Sequence, residues 1–167
     1  MKVEHTLKPI YDNDSIVLIL GSMPSVKSRE LGFYYAHPQN RFWKILAKVF
    51  EEEIGKSNEE REEFLHRNHI ALFDVIKTCD IEGSSDLSIK NPIANDLRPI
   101  LDNSKIKYIF TTGRKAFDLY NKYILPKIGI EAIYLPSTSG ANASIGMDKL
   151  YNEYLQIKKL VNWHFYV

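Results

Sequence analysis

Two stretches of this chain combine residue types that can hold a flat, polar ring. Gly21-Ser22-Met23-Pro24-Ser25 opens directly out of the apolar run Ile16-Val17-Leu18-Ile19-Leu20 and leads into Phe33-Tyr34-Tyr35-Ala36-His37-Pro38-Gln39-Asn40-Arg41-Phe42-Trp43. Small residues allow close backbone approach to a ligand, and loop aromatics offer a stacking face. Phe33, Tyr34 and Tyr35 cannot all face one core, so at least one ring is expected to meet a ligand. Stacking a base on such a ring is worth ~1–3 kcal/mol. The second stretch, Ser137-Thr138-Ser139-Gly140-Ala141-Asn142, reads either as a phosphate cradle of amides and hydroxyls or as an ordinary polar loop. A second small-residue turn at the same sheet edge favours the cradle.

Single residues add to this. Asp74 interrupts the apolar run Leu72-Phe73-Asp74-Val75-Ile76, and a buried carboxylate needs a partner. It either accepts backbone N–H groups at the strand's exit or accepts a hydrogen bond from a ligand. His37 and Asn40 bracket Pro38, which reads as a turn with a helix cap, or as an amide held at the mouth of a site. Other chemistries lack their residues. There is no complete G-x-x-x-x-G-K-[ST] P-loop, since Phe50 stands where the first glycine before Gly55-Lys56-Ser57 would be, and no G-x-S-x-G nucleophile elbow. His5, His66, His69 and His164 have no metal-ligand spacing, and Cys79 has no histidine close in sequence. No metal and no cofactor are expected.

The elements that must position these residues alternate along the chain. Strands are expected at Ser15–Leu20, Ile70–Ile76, Lys107–Thr112 and Glu131–Leu135. Helices are expected from Asn40, from the capping box Ser57-Asn58-Glu59-Glu60 to Asn68, over Asn91–Asn103 with a bend at Pro99, over Arg114–Ile124, and over Met147–Val161. Gly21–Gln39 and Thr78–Asn91 read as long loops. Alternation of this kind predicts a parallel sheet with helices on both faces, whose loops gather at the strands' carboxyl edge, where ligands bind.

At 167 residues, with 44% hydrophobic and 26% charged residues, the chain suits one domain, 1–167. A net charge of +1 gives no global signature of nucleic acid, so any electrostatic footprint must be local. The acidic runs Glu51–Glu53 and Glu59–Glu63 would repel phosphate and belong on a solvated face. One cysteine, no apolar leader and no apolar run of ~20 residues predict a cytoplasmic protein off the membrane.

Together, Gly21–Ser25, Tyr35–Trp43, Asp74 with Gly83-Ser84-Ser85-Asp86, and Leu135-Pro136-Ser137-Thr138-Ser139 resemble the uracil-DNA glycosylase superfamily, and within it most the hypoxanthine-DNA glycosylase (DNA-deoxyinosine glycosylase) family. Gly32–Trp43 also resembles the first motif of the mismatch-specific branch. The resemblance spans about Ser15 to Ser144. It implies an α/β fold, a three-layer α/β/α sandwich on a short, mostly parallel four-stranded sheet. It also implies a monofunctional DNA glycosylase, a nucleoid-associated monomer acting in base excision repair on DNA containing deoxyinosine or deoxyuridine.

By the same resemblance Asn40 is catalytic. Tyr35, Asp74, Ser22 and Met23 contact the base, with Tyr35 stacking on it. Pro24, Ser25, His37, Arg41, Ser137, Thr138, Ser139, Gly140, Ala141 and Asn142 contact DNA, with Lys27 and Arg29 as further local charge. Two departures matter. Met23 stands where the mismatch-specific branch has a water-positioning Asn, which moves that task to Asn40. Ala141 stands at the wedge position in place of a bulky Leu, which implies tolerance of single strands or varied opposite bases. The expected pocket is a dry one framed by Tyr35 and Asn40. Competing readings are a uracil-directed glycosylase, a non-catalytic nucleic-acid-binding domain, and, last, a hydrolase using Ser22 or Ser137.

Overall fold

The computed structural model describes residues 1–166, with the side chain of Tyr166 outside that description. In chain order the elements are β1 (Lys2–Glu4), β2 (Val17–Gly21), α1 (Val26–Leu31), α2 (Phe42–Phe50), α3 (Asn58–Arg67), β3 (Ile70–Asp74), β4 (Ile76–Asp80), β5 (Lys90–Ala94), α4 (Arg98–Asp102), β6 (Tyr108–Thr112), α5 (Arg114–Tyr123), α6 (Leu125–Ile128), β7 (Ala132–Leu135) and α7 (Met147–Tyr166). Four strands form a parallel sheet in the order β3-β2-β6-β7, flanked by helices as the α/β/α reading expects. Every residue of β2 is buried, which requires a layer on each face of that strand. Helix α3 packs on β3, α5 on β6 and β7, and α2 on α7.

Register brings the site residues to one edge. Gly21 pairs with Asp74, and Thr112 with Leu135, so all four parallel strands end along the same rim. The expected strand Ile70–Ile76 continues further than its sequence suggests. It bends at Val75 and runs on as β4, leaving the parallel sheet for an antiparallel one ordered β1-β4-β5. Val75 and Ile76 still donate their N–H groups to the carbonyls of Gly21 and Ser22, at 2.8 and 3.0 Å, which fastens the bend to the first motif.

Four expectations are corrected here. Thr78–Asn91 is not one loop, because β4 runs to Asp80. Asn91–Pro92 does not open a helix. Asn91 takes a left-handed φ of 52° and Lys90–Ala94 forms β5, an edge strand where a proline costs no ladder bond. Only Arg98–Asp102 of that region is helical. Within Gly21–Gln39 lies α1, capped by the Ser25 hydroxyl on Ser28 N–H and closed by Gly32 at φ 71°. The last helix runs past Val161 to Tyr166.

Candidate active site

The aromatic run divides as its crowding predicts. Phe33 and Tyr34 turn into the core, where Phe33 stacks on Trp43 and the Tyr34 hydroxyl donates to the Lys8 carbonyl at 2.7 Å. Tyr35 is left half-buried, its ring parallel to the buried Phe42 at 3.8 Å between centroids. One face of the Tyr35 ring is therefore braced by a second aromatic. Tyr35 holds a φ of 53°, unusual for a bulky residue and costly unless its surroundings impose it. They do: Ala36 N–H donates to the buried Ser28 hydroxyl, and the Trp43 indole donates to the Tyr34 carbonyl. Burial, and then the nearby Asp74 carboxylate, push the Tyr35 phenol well above its ordinary value, so it stays a neutral hydroxyl.

That hydroxyl lies 3.2 Å from Thr112 Oγ1 at the exit of β6. Gly21 sits beneath both. A methyl group there would come within 2.7 Å of Asp74 Oδ1, 3.2 Å of the Tyr35 hydroxyl and 3.6 Å of Thr112 Oγ1. Only glycine lets these three groups converge over the end of β2. Asp74 is buried, and its other oxygen, Oδ2, is 2.7 Å from His5 Nε2. A carboxylate only accepts, so the His5 ring donates from Nε2 and leaves Oδ1 turned toward Gly21. The His5 side chain is itself buried, edge-on to Phe73.

The second motif meets the first at the exit of β7. Gly113 N–H donates to the Leu135 carbonyl, and a Cβ on Gly113 would touch the Ser137 Cβ at 3.4 Å. Thr138 is buried, with its hydroxyl donating to Asn40 Oδ1 at 2.8 Å. The same amide oxygen accepts Phe42 N–H at 2.9 Å. A backbone N–H can only donate, so this contact assigns the oxygen end of the amide. With Oδ1 occupied by two donors, the free chemical capacity of Asn40 lies at its Nδ2. Arg41 N–H donates to the Thr138 carbonyl, and the Arg41 guanidinium to the carbonyls of Ile145 and Asn142, at 2.6 and 3.0 Å.

Several expected contacts are thereby relocated. Arg41 is half-buried and acts as a strut, its guanidinium donating to two carbonyls of the second motif and the segment after it. Thr138 lies beneath the surface rather than on it. Met23 belongs to the buried core and Pro24 is buried beside it, so neither offers much surface to base or backbone. Ser22 is buried too, and its hydroxyl donates to Asp86 Oδ1 at 2.7 Å. Ser25 caps α1. In the second motif, Ser139 N–H donates to the Ser137 hydroxyl, Ala141 N–H to the Ser139 hydroxyl, and the Asn142 amide to the Ser137 carbonyl. These bonds shape a rigid turn with Gly140 packed on Gln39, and leave Ala141 as its exposed tip. His37 is exposed, its Nδ1 accepting Gln39 N–H at 3.1 Å.

The structure brings Asp74, Gly21, Tyr35, Thr112, Ser137, Thr138 and Asn40 into one unbroken series of contacts across all four strand exits. Away from these residues lie a cleft of about 460 Å³, lined by Thr6 to Ile10, Arg29, Gly32 to Tyr34 and Glu62, and a smaller one lined by Ala94 to Arg98 with Tyr123, Ile124, Lys127 and Ile128. Two of the site's members escape the sequence reading. His5 has no local signal, since its partner lies 69 residues away. Thr112 had one, a hydroxyl at a strand exit just before Gly113 and a helix. Among the described residues no cluster of His, Cys, Asp and Glu is suited to a metal, and no helix is long and apolar enough to cross a membrane.

Similarity to known proteins agrees with this geometry. Residues 9–157 match the model of the uracil DNA glycosylase superfamily. The hypoxanthine DNA glycosylase of Methanosarcina barkeri is 36% identical over 136 residues, 80% of this chain and 85% of that protein. The hypoxanthine DNA glycosylase of Methanosarcina acetivorans is 35% identical over 135 residues, 80% and 84% of the two chains. A solution NMR structure of a candidate uracil DNA glycosylase from Methanosarcina acetivorans superposes with a TM-score of 0.78 at 30% identity, covering 95% of this chain and 99% of that one. Matched over most of its length and folded as its relatives are, this chain belongs to the uracil DNA glycosylase superfamily.

Proposed function

We propose that this DNA glycosylase removes deaminated bases, hypoxanthine foremost, by hydrolysing the N-glycosidic bond of the flipped nucleotide. The observation that carries the reading is the convergence of Asp74 Oδ1, the Tyr35 hydroxyl and Thr112 Oγ1 over Gly21. Extruding a nucleotide costs a few kcal/mol, least for a mispaired one. The base stacks on the face of Tyr35 opposite Phe42. Asp74 Oδ1 accepts the N1–H of hypoxanthine, a proton that adenine lacks, and a site built around one acceptor rejects the base that cannot fill it. Uracil offers its N3–H to the same oxygen, which makes it the second substrate.

Cleavage of the C1′–N bond passes through an oxocarbenium-like sugar, and water then adds its hydroxyl to C1′ while its proton goes to the departing base or to solvent. Because the cation forms before water adds, placement of that water outweighs basicity. Asn40 has no basic atom to offer. Its Oδ1 is held by Phe42 N–H and Thr138, and its Nδ2 donates to the water and fixes it beneath C1′. Those amides of the turns at Gly21–Ser25 and Ser137–Gly140 that are not bonded within the protein receive the flanking phosphates.

The test is a panel of oligonucleotides carrying deoxyinosine, deoxyuridine, xanthine or only normal bases, incubated with the protein and then cleaved with alkali. The expected result is strand scission at deoxyinosine, weaker scission at deoxyuridine and none at deoxyadenosine. Tight binding with no abasic product on any strand would favour a non-catalytic module instead.

A further inference from the structure

The loop between β4 and β5 carries the large apolar residue most exposed to solvent among those described, Leu87, at 97%. Lone exposed leucines are ordinary on protein surfaces. This one differs in what holds it. The loop is anchored at its two ends by the buried Ile81 and Ile89. It is closed on itself where Glu82 N–H donates to the Ser88 hydroxyl and the Ser88 hydroxyl donates to the Ser85 carbonyl. Asp86–Ser88 forms a single 3₁₀ turn. Three further bonds fasten the loop to the first motif and to α1: Ser22 hydroxyl to Asp86, Val26 N–H to the Ser84 hydroxyl at 2.9 Å, and Arg29 to the Gly83 carbonyl at 3.4 Å. The loop spends its polar side chains on internal and motif contacts and extends one leucine into solvent beside the site.

We infer that Leu87 is a wedge that enters the DNA stack next to the flipped nucleotide. The inference rests on the glycosylase reading above. Apolar side chains inserted between base steps unstack and kink a duplex, and leucine is among the residues that do so. A filler is needed because Ala141, at the tip of the second motif, has only a methyl group to place in the opened gap. Positive charge stands close by, in Arg29 against the loop itself and in Lys115, whose field reaches the Asp86 carboxyl. The loop's own carboxylates are engaged elsewhere, Asp86 with Ser22 and Glu82 with the N-terminal ammonium at 3.5 Å.

The test compares single-turnover excision of hypoxanthine from a fully paired duplex with excision from the same sequence opened into an unpaired bubble, where no stack remains to be broken. Leu87→Ala is expected to lower the duplex-to-bubble rate ratio about tenfold, and Leu87→Met to restore it. A ratio that Leu87→Ala leaves intact overturns the wedge. So does an equal loss on both substrates, which would mark a structural role. A second readout separates this inference from the activity on which it rests. With 2-aminopurine beside the lesion, binding of the parent protein should raise fluorescence and Leu87→Ala should abolish the rise. A protein that releases no base yet gives this Leu87-dependent signal would overturn the glycosylase reading and keep the wedge; absence of the signal overturns the wedge.

Discussion

At the scale of single residues, the site depends on groups whose only task is to aim others. Thr138 touches no substrate atom in this account, yet its hydroxyl and the Phe42 N–H together decide which end of the Asn40 amide faces outward. Thr138→Val keeps the shape and loses the donor. A neutral hydrogen bond contributes about 1 kcal/mol, so single-turnover excision should fall by about a factor of five while DNA affinity holds, with Thr138→Ser restoring the rate. His5 does the same for Asp74 under heavier penalty, because removing one partner strands a buried carboxylate. His5→Ala should cost about 3 kcal/mol in urea unfolding and weaken the preference for deoxyinosine over deoxyadenosine. Tyr35 and Asn40 could be singled out because both lie in one short motif. His5 could not, because nothing in a linear sequence reports a contact between the amino terminus and the exit of β3. Arg41 illustrates the same point: a cation beside a small-residue turn reads as a phosphate ligand, and only the structure reveals the carbonyls to which its guanidinium donates.

At the scale of elements, those with a strong periodic or capping signal matched expectation, and those held by tertiary contacts did not. The helix expected from Ser57 forms, capped by the Ser57 hydroxyl, which accepts Glu60 N–H and donates to the Glu60 carboxylate. Helix α1 escaped because it has almost no apolar face, Ser28 being its one buried residue. Strand β5 escaped because its sequence, Lys-Asn-Pro-Ile-Ala, is exposed or half-buried throughout and exists as a strand only through pairing with β4. The end of α2 is tied to the end of α3 by Glu52, which accepts from Arg67 at 2.6 Å and from Asn68 at 2.9 Å. Partial burial works to raise the Glu52 carboxyl, but the hydrogen bonds from Asn68 and Arg67 outweigh it and hold the group below its ordinary value. A lowered acid contributes stability that is present above the unfolded-state value, about 4.3, and is lost as pH falls through the folded one. Glu52→Gln should therefore lower stability at pH 7 by up to about 1 kcal/mol, since the pair is partly exposed, and the gap from the parent protein should close below about pH 4. Thermal unfolding of the two proteins across pH measures it.

At the scale of the whole molecule, the charge balance sets how the protein must find DNA. With 22 basic and 21 acidic residues the net charge does not drive association, so few, local phosphate contacts are expected. Each phosphate neutralised contributes about −0.9 to the slope of log K against log salt, and a slope of about −2 to −4 is expected for duplex DNA in a salt titration. A much steeper slope would indicate a wide electrostatic footprint that the composition does not support. The parallel sheet, its strand order and its ligand-bearing edge supply the rigid part of this design. The motifs after β2, β3, β6 and β7 converge on that edge because parallel strands all end there.

The account stands or falls on Asn40. The decisive measurement is single-turnover release of hypoxanthine from deoxyinosine DNA by the parent protein and by Asn40→Ala, with DNA binding followed in parallel. A water held by this amide predicts a variant that still binds the lesion but cleaves at least about a hundredfold more slowly, as loss of one well-oriented catalytic group does. Cleavage by Asn40→Ala at the parental rate would contradict it.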